Sequence, residues 1–124
     1  MLKVTIDGRL PGLNDYTKAC RTNPQVGARM KKKAEEKAIG CINQQLKNTR
    51  TTFSVPVEIE FLWIEKDRRR DPDNISGFGR KVIMDALVKA GILADDSGKY
   101  VKGFKDSFLV DAVNPRIEVR IKGE

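Results

Sequence analysis

The sequence contains no histidine. That excludes a Ser-His-Asp triad, a Cys-His nucleophile pair and any His-ligated zinc. Polar chemistry must therefore come from Asp, Glu, Lys, Arg or Tyr, or from a metal held by oxygen ligands. Cysteine is almost as scarce. Cys20 and Cys41 are the only two and lack CxxC spacing. They are too few for a usual structural zinc site and suit reduced thiols in a cytoplasmic protein. No apolar run reaches the length of a membrane-spanning helix, and the opening MLKVTIDGRLPG lacks the apolar stretch of a signal peptide. A cytoplasmic location is the expectation. Repeats, linkers and low-complexity segments are missing too, so residues 1–124 are expected to form one domain.

Positive charge is abundant. Twenty-four Lys and Arg face 17 Asp and Glu, a formal net charge of +7. A balance of this kind points to a polyanion, nucleic acid before anionic membrane. A solvated basic surface would give the same count.

Hydrophobic periodicity predicts an α+β domain: a small mixed or antiparallel sheet with two main helices packed on it. Residues 2–6 alternate as a short strand. Residues 7–27, rich in Gly, Pro, Asn and Asp, read as a long loop. Residues 29–48 carry Met30, Ala34, Ala38, Ile42 and Leu46 at i+4 spacing, the buried stripe of a helix. Lys31, Lys32 and Lys33 fall in its expected first turn, where the helix dipole disfavours cations. Residues 53–64 form the clearest strand, with Phe53, Val55, Val57, Ile59, Phe61 and Trp63 on one face. Pro56 places it at an edge or marks its beginning. A second helix is expected over 76–90, closed by Gly91 as a left-handed C′ residue with Ile92 behind it. Two strands follow, within 99–112 and 115–122.

Between the clearest strand and the second helix lies DRRRDPDN, residues 67–74. Three arginines run into Asp71 and Asp73. In extended backbone, residues two apart point the same way, and Pro72 biases Asp71 toward that conformation. Two carboxylates facing one spot would repel unless a cation joined them. All-oxygen ligation favours a hard ion, Mg²⁺ or Mn²⁺. The same residues also make an ordinary turn, with Asp73 or Asn74 capping the next helix. Asp95 and Asp96 lie beyond that helix, and spacing alone does not bring them back to Asp71.

Residues 68–101, RRRDPDNISGFGRKVIMDALVKAGILADDSGKYV, resemble the RusA family of Holliday junction resolvases, small endonucleases often carried by prophages. The matching features are the basic run, Asp71-x-Asp73-Asn74, Lys81 four residues before Asp85-Ala86-Leu87, Gly91, and the Asp95-Asp96 pair. The N-terminal half is similar as well, with a strand, a Pro11-to-Asn14 loop and a long helix. The resemblance implies a RusA-like fold and a homodimer that cuts four-way DNA junctions by paired symmetric nicks in recombination and repair. It implies that Asp71, Asp73 and Asp96 bind Mg²⁺ and that Lys81 acts on phosphate. Arg68, Arg69, Arg70, Arg80, Lys31, Lys32 and Lys33 are the candidate DNA contacts. Tyr16 and Phe78 are candidates for contacting bases at the crossover. This chain is longer than the family pattern by about one helical turn at SGFG, residues 76–79. If those residues extend the helix, Arg80 becomes a rival to Lys81. The alternative from another class is a basic DNA-binding module without catalysis, or a degenerate junction binder. In it, DPDN is only a turn and cap.

Overall fold

The structure is a computed structural model, and it describes residues 1–46 and 52–123. The element order is β1 (Leu2–Asp7), α1 (Leu13–Thr22), α2 (Pro24–Leu46), β2 (Val57–Glu65), α3 (Pro72–Lys89), β3 (Val101–Val110) and β4 (Arg116–Gly123). The four strands form one mixed sheet in the order β1-β4-β2-β3. β4 runs antiparallel to β1 and β2, and β3 runs parallel to β2. β2, α3 and β3 thus make a βαβ unit, with β3 as a free edge.

The expected fold class holds at the level of a mixed sheet with helices on it, but the described residues form three helices. α1 lies inside the segment read as loop. Its Gly and Pro residues are boundary marks. The Gly12 N–H donates to the Asp15 carboxylate at the start of α1. Asn23 separates the two helices, and its side chain accepts the Gln25 N–H at the start of α2. Pro24 suits the first helical position, which needs no N–H. Since α2 begins at Pro24, Lys31–Lys33 sit well inside it, and the dipole argument for them lapses. Residues 47 and 48 of the expected helix lie outside the described residues.

β2 starts at Val57, directly after Pro56, and is flanked on both sides. Proline therefore marks its beginning and not an edge. Phe53 forms only an isolated parallel bridge to Leu93. The period-two face of Val57, Ile59, Phe61 and Trp63 is buried as its alternation predicts.

α3 begins four residues before the expected start, and SGFG lies within it. Two interior glycines cost helix stability, but each sits where a neighbour comes close. A Cβ on Gly77 would lie 3.1 Å from Leu13, and one on Gly79 would lie 2.9 Å from the buried Trp63 ring. The helix ends as the sequence predicts. Gly91 has φ +79. Its N–H donates to the Val88 carbonyl at 3.0 Å, and the Ile92 N–H donates to Leu87 at 2.9 Å. This is a Schellman motif, with Ile92 buried behind it.

The sheet's other face carries a ladder of charge. Glu118 accepts from Lys3 at 2.9 Å and Arg116 at 3.0 Å, while Glu60 faces Arg120 and Lys122. Hydrogen bonding from Lys3, then from Arg116, holds the Glu118 carboxyl below the usual glutamate range. A depressed folded-state pKa stabilises above the unfolded value, about 4.3, and that gain disappears as pH falls through the lower folded value. Glu118→Gln should therefore lower Tm at neutral pH, and the gap to the unsubstituted protein should close as melts are taken down through pH 4 toward pH 3. A gap that stays constant with pH would remove this ion pair as the source.

Candidate functional site

Asp71 is the N-cap residue of α3, with extended backbone at φ −73 and ψ 154, and its side chain makes no capping bond. Pro72 opens the helix and Asp73 lies in its first turn. The expected extended pair is therefore corrected. Asp73 is helical, because Pro72 is pre-set for the first helical position and leaves its missing N–H uncounted. Asn74 does not cap α3 either. Its side-chain oxygen accepts the Asn14 N–H at 2.8 Å, tying α1 to α3. Gly12 must be small here, since a Cβ would meet Asn74 at 2.6 Å.

Both aspartates are exposed. Neither carboxylate has a hydrogen-bond or ion-pair partner among the described residues. The turn-and-cap account of DPDN thus leaves both acidic side chains unused. Negative charge is electrostatically favoured at a helix N-terminus, so the position tolerates two carboxylates without spending them.

The three arginines have separate fates. Arg70 is consumed internally. Its guanidinium makes paired bonds of 2.8 Å to both oxygens of the buried Glu65 and a third, 3.1 Å, to the Leu10 carbonyl. Arg9 joins Glu65 from the other side at 3.7 Å. This bracket pins the 67–71 turn to the end of β2. Among the described residues Arg69 reaches only its neighbour Asp67, at 3.6 Å, and it is 87% exposed. Arg68 is exposed and unpaired among the described residues. It lines a pocket of about 630 Å³ with Asp71, Ile75, Phe108 and Val110. The pocket lies at the carboxyl ends of parallel β2 and β3, where open α/β sheets hold ligands.

Asp96 does come back toward α3. The turn at Gly91 reverses the chain, and Asp96 faces Lys81 at 3.9 Å. It lines a second pocket, about 230 Å³, with Gly77, Arg80, Lys81, Met84 and Phe104. Asp73, Gly77, Lys81 and Asp85 follow one another at i+4 along one face of α3. Asp73 and the Asp96 pocket therefore share a face, with the pocket beginning one turn beyond Asp73. The three aspartates are not gathered more tightly than that. Among the described residues no three Cys, Asp or Glu side chains group closely enough to hold a metal ion. The donor set of Asp71, Asp73 and Asp96 fits a hard divalent ion in chemistry, all oxygen and anionic.

The structure also separates Lys81 from Arg80. Arg80 is bonded to Asp106 and lies over the Phe61 and Phe104 rings, its carbon 5.8 and 5.0 Å from their centroids. Its Nε is buried without a partner. Asp106 is further held by the Trp63 indole at 2.8 Å. Lys81 is 61% exposed and, among the described residues, pairs only with Asp85 at 3.3 Å and Asp96 at 3.9 Å. Although the SGFG turn lies in the helix, Lys81 keeps its i+4 relation to Asp85, and Arg80 is built into the packing.

The remaining candidates divide similarly. Lys31 pairs with Asp85 at 3.3 Å, while Lys32 and Lys33 are exposed on α2. Phe78 is buried in the core and Tyr16 stacks on it with ring centroids 4.4 Å apart. Phe78 does not stand free to meet a base, while Tyr16 is half-buried with one ring face taken by Phe78. Glu65, Phe104 and Phe108 escaped notice in the sequence. Glu65 continues the buried phase of β2, where a carboxylate demands a partner. Phe104, Asp106 and Phe108 share one face of β3, the acid breaking an apolar stripe.

In comparison with known proteins, no family model matches the chain and no curated protein is significantly similar to it. None of the helices in the described residues is long and apolar enough to cross a membrane.

Proposed function

We propose that the chain is a metal-dependent endonuclease acting on branched DNA, four-way junctions in particular, with a RusA-like fold and as a homodimer. One observation carries this reading. In a chain of net charge +7, Asp71 and Asp73 begin one helix with free carboxylates beside the unpaired Arg68. Asp71, Asp73 and Asp96 are the oxygen donors that Mg²⁺ or Mn²⁺ would use, and the ion would have to draw Asp96 and the first turn of α3 together, since without it they are not grouped. When bound, such an ion supplies Lewis-acid polarisation of a phosphate and a lowered pKa for its water. The chain's own part is electrostatic. Arg68, Arg69, Lys32 and Lys33 attract and position the DNA backbone against the carboxylates' repulsion. Lys81, freed by its exposure and set between Asp85 and Asp96, neutralises the phosphate under attack. Two copies related by a twofold axis match the near symmetry of a four-way junction and place one cut in each of two strands. A non-catalytic basic module accounts for the charge but gives the free carboxylates no role beyond their favourable charge at the helix N-terminus.

The test is a synthetic four-way junction incubated with Mg²⁺ or with EDTA. Paired symmetric nicks that require Mg²⁺ support the enzyme. Tight binding without nicks in either condition reduces the protein to a binding module. Lys81→Met should suppress nicking while moving stability by less than about 1 kcal/mol, the usual worth of an exposed pair. Arg80→Met should do the reverse, lowering Tm first, because it strands Asp106. Equal Tm losses in both variants would refute the separation of their roles.

A further inference from the structure

The two pockets flanking α3 repeat one set of groups. At the start of the helix, Phe108 stands with Arg68 and Asp71. Farther along, Phe104 stands with Lys81 and Asp96. Both phenylalanines project from the free edge strand β3 on its helix side, 46% and 37% exposed for Phe104 and Phe108. Large aromatic surface left open at two places on one strand needs an occupant. Phe104 is also held in place from behind, by the Arg80 guanidinium at 5.0 Å and the Phe61 ring at 6.0 Å. It is a fixed flat surface with one open side.

Resting on the endonuclease reading, we propose that the α3-facing edge of β3 is a track for unpaired DNA, with one base stacked on Phe104 and another on Phe108, on either side of the Arg80–Asp106 pair that joins α3 to β3 between them, and with the flanking phosphates drawn by Lys81 and Arg68. Alternating aromatic platforms and cations are the chemistry by which proteins hold single strands. A duplex cannot use them, because its base faces are already stacked. The rings are four residues apart on one strand, about 13 Å at roughly 3.3 Å per residue. That is several times the ~3.4 Å rise of a stacked strand, so the two bases are splayed and not stacked on each other. The substrate class is therefore branched DNA whose strands are opened at the branch point. An apolar protein partner for the same strip would gain nothing from the exposed Arg68 and Lys81.

The experiment uses the full chain, a labelled oligothymidylate and a blunt duplex of equal length, read by fluorescence anisotropy across a salt series. The oligothymidylate should bind. Phe104→Ala and Phe108→Ala should each weaken it roughly tenfold, within the range of one stacked base, with the slope of log affinity against log salt unchanged. Phe104→Tyr and Phe108→Trp should restore binding. Lys81→Ala should lower the slope by about 1. Melting of each variant by circular dichroism identifies any loss through unfolding, and the aromatic variants keep the test decisive if an alanine variant fails to fold. Oligothymidylate binding that is absent, or indifferent to the aromatic variants, overturns the track. So does a fall in sedimenting mass in the alanine variants, which would make the strip an interface between copies. Junction nicking is followed separately. If it persists without the track, only the track is lost; if the track holds and nicking is absent, the track stands without the enzyme.

Discussion

Asp71→Asn and Asp73→Asn should each reduce junction nicking by more than about 100-fold, since losing even an outer partner of a metal ligand costs about 10–100-fold. Stability should barely respond. Neither carboxylate is bonded to anything among the described residues, so no internal contact is lost. What remains is a charge at the N-terminus of α3, where each is worth roughly 0.3–1 kcal/mol, partly offset by relief of repulsion between the pair. Junction affinity measured in EDTA should hold or rise, because a negative charge is removed beside the DNA. The signature is thus a lost reaction with retained fold and retained binding. Nicking at the original rate with either asparagine would break the argument from free carboxylates. A Tm loss of many degrees would show instead that the acids hold the turn together.

The sequence made the strands legible where one face is buried, because burial imposes alternation. β2, β4 and the end of α3 follow from period and from Gly91 alone. α1 was hidden because a short helix between Gly12 and Asn23 has few apolar residues, and its boundary signals look like loop composition. The start of α3 was hidden for a related reason. Asp-Pro-Asp-Asn reads equally well as an extended turn or as an N-cap followed by proline at the first helical position, and only tertiary contact decides. That contact is the Asn74 bond to Asn14 across 60 residues of sequence. Asp71, Asp73, Asp96 and Lys81 could be named from resemblance, yet their arrangement depends on two features that periodicity does not encode. One is the reversal at Gly91 that returns Asp96 to Lys81. The other is the internal capture of Arg70, which leaves Arg68 as the free member of an apparently uniform run. Glu65 had a readable signal, an acid in the buried phase of a strand, and its partner lies five residues on.

That pair gives the largest expected loss of stability. Glu65→Ala should destabilise the protein by about 3–5 kcal/mol, the usual cost of removing one member of a buried ion pair, and lower Tm by about 10 °C or more for a domain of this size. The side chains of Glu65 and Arg70 are 6% and 15% exposed, so Arg70 would be left charged with little water to solvate it. Arg9 would lose its acid as well. Glu65→Gln should cost less, keeping an acceptor for one of the two guanidinium bonds. Glu65→Met combined with Arg70→Met should recover much of the loss, because two apolar chains of similar length leave no buried charge behind. The functional cost should not recover with it. Without the bracket, the turn loses its side-chain ties to Glu65 and to the Leu10 carbonyl, so Arg68 loses its fixed relation to Asp71 and Asp73, which the start of α3 still holds together. The double variant should therefore melt near the unsubstituted protein yet nick poorly. Thermal melts and junction nicking on the three variants separate the two effects. If the double variant recovers both, the pair supplies stability alone. If Glu65→Ala melts within a degree or two of the unsubstituted protein, the buried bracket is not what holds this turn.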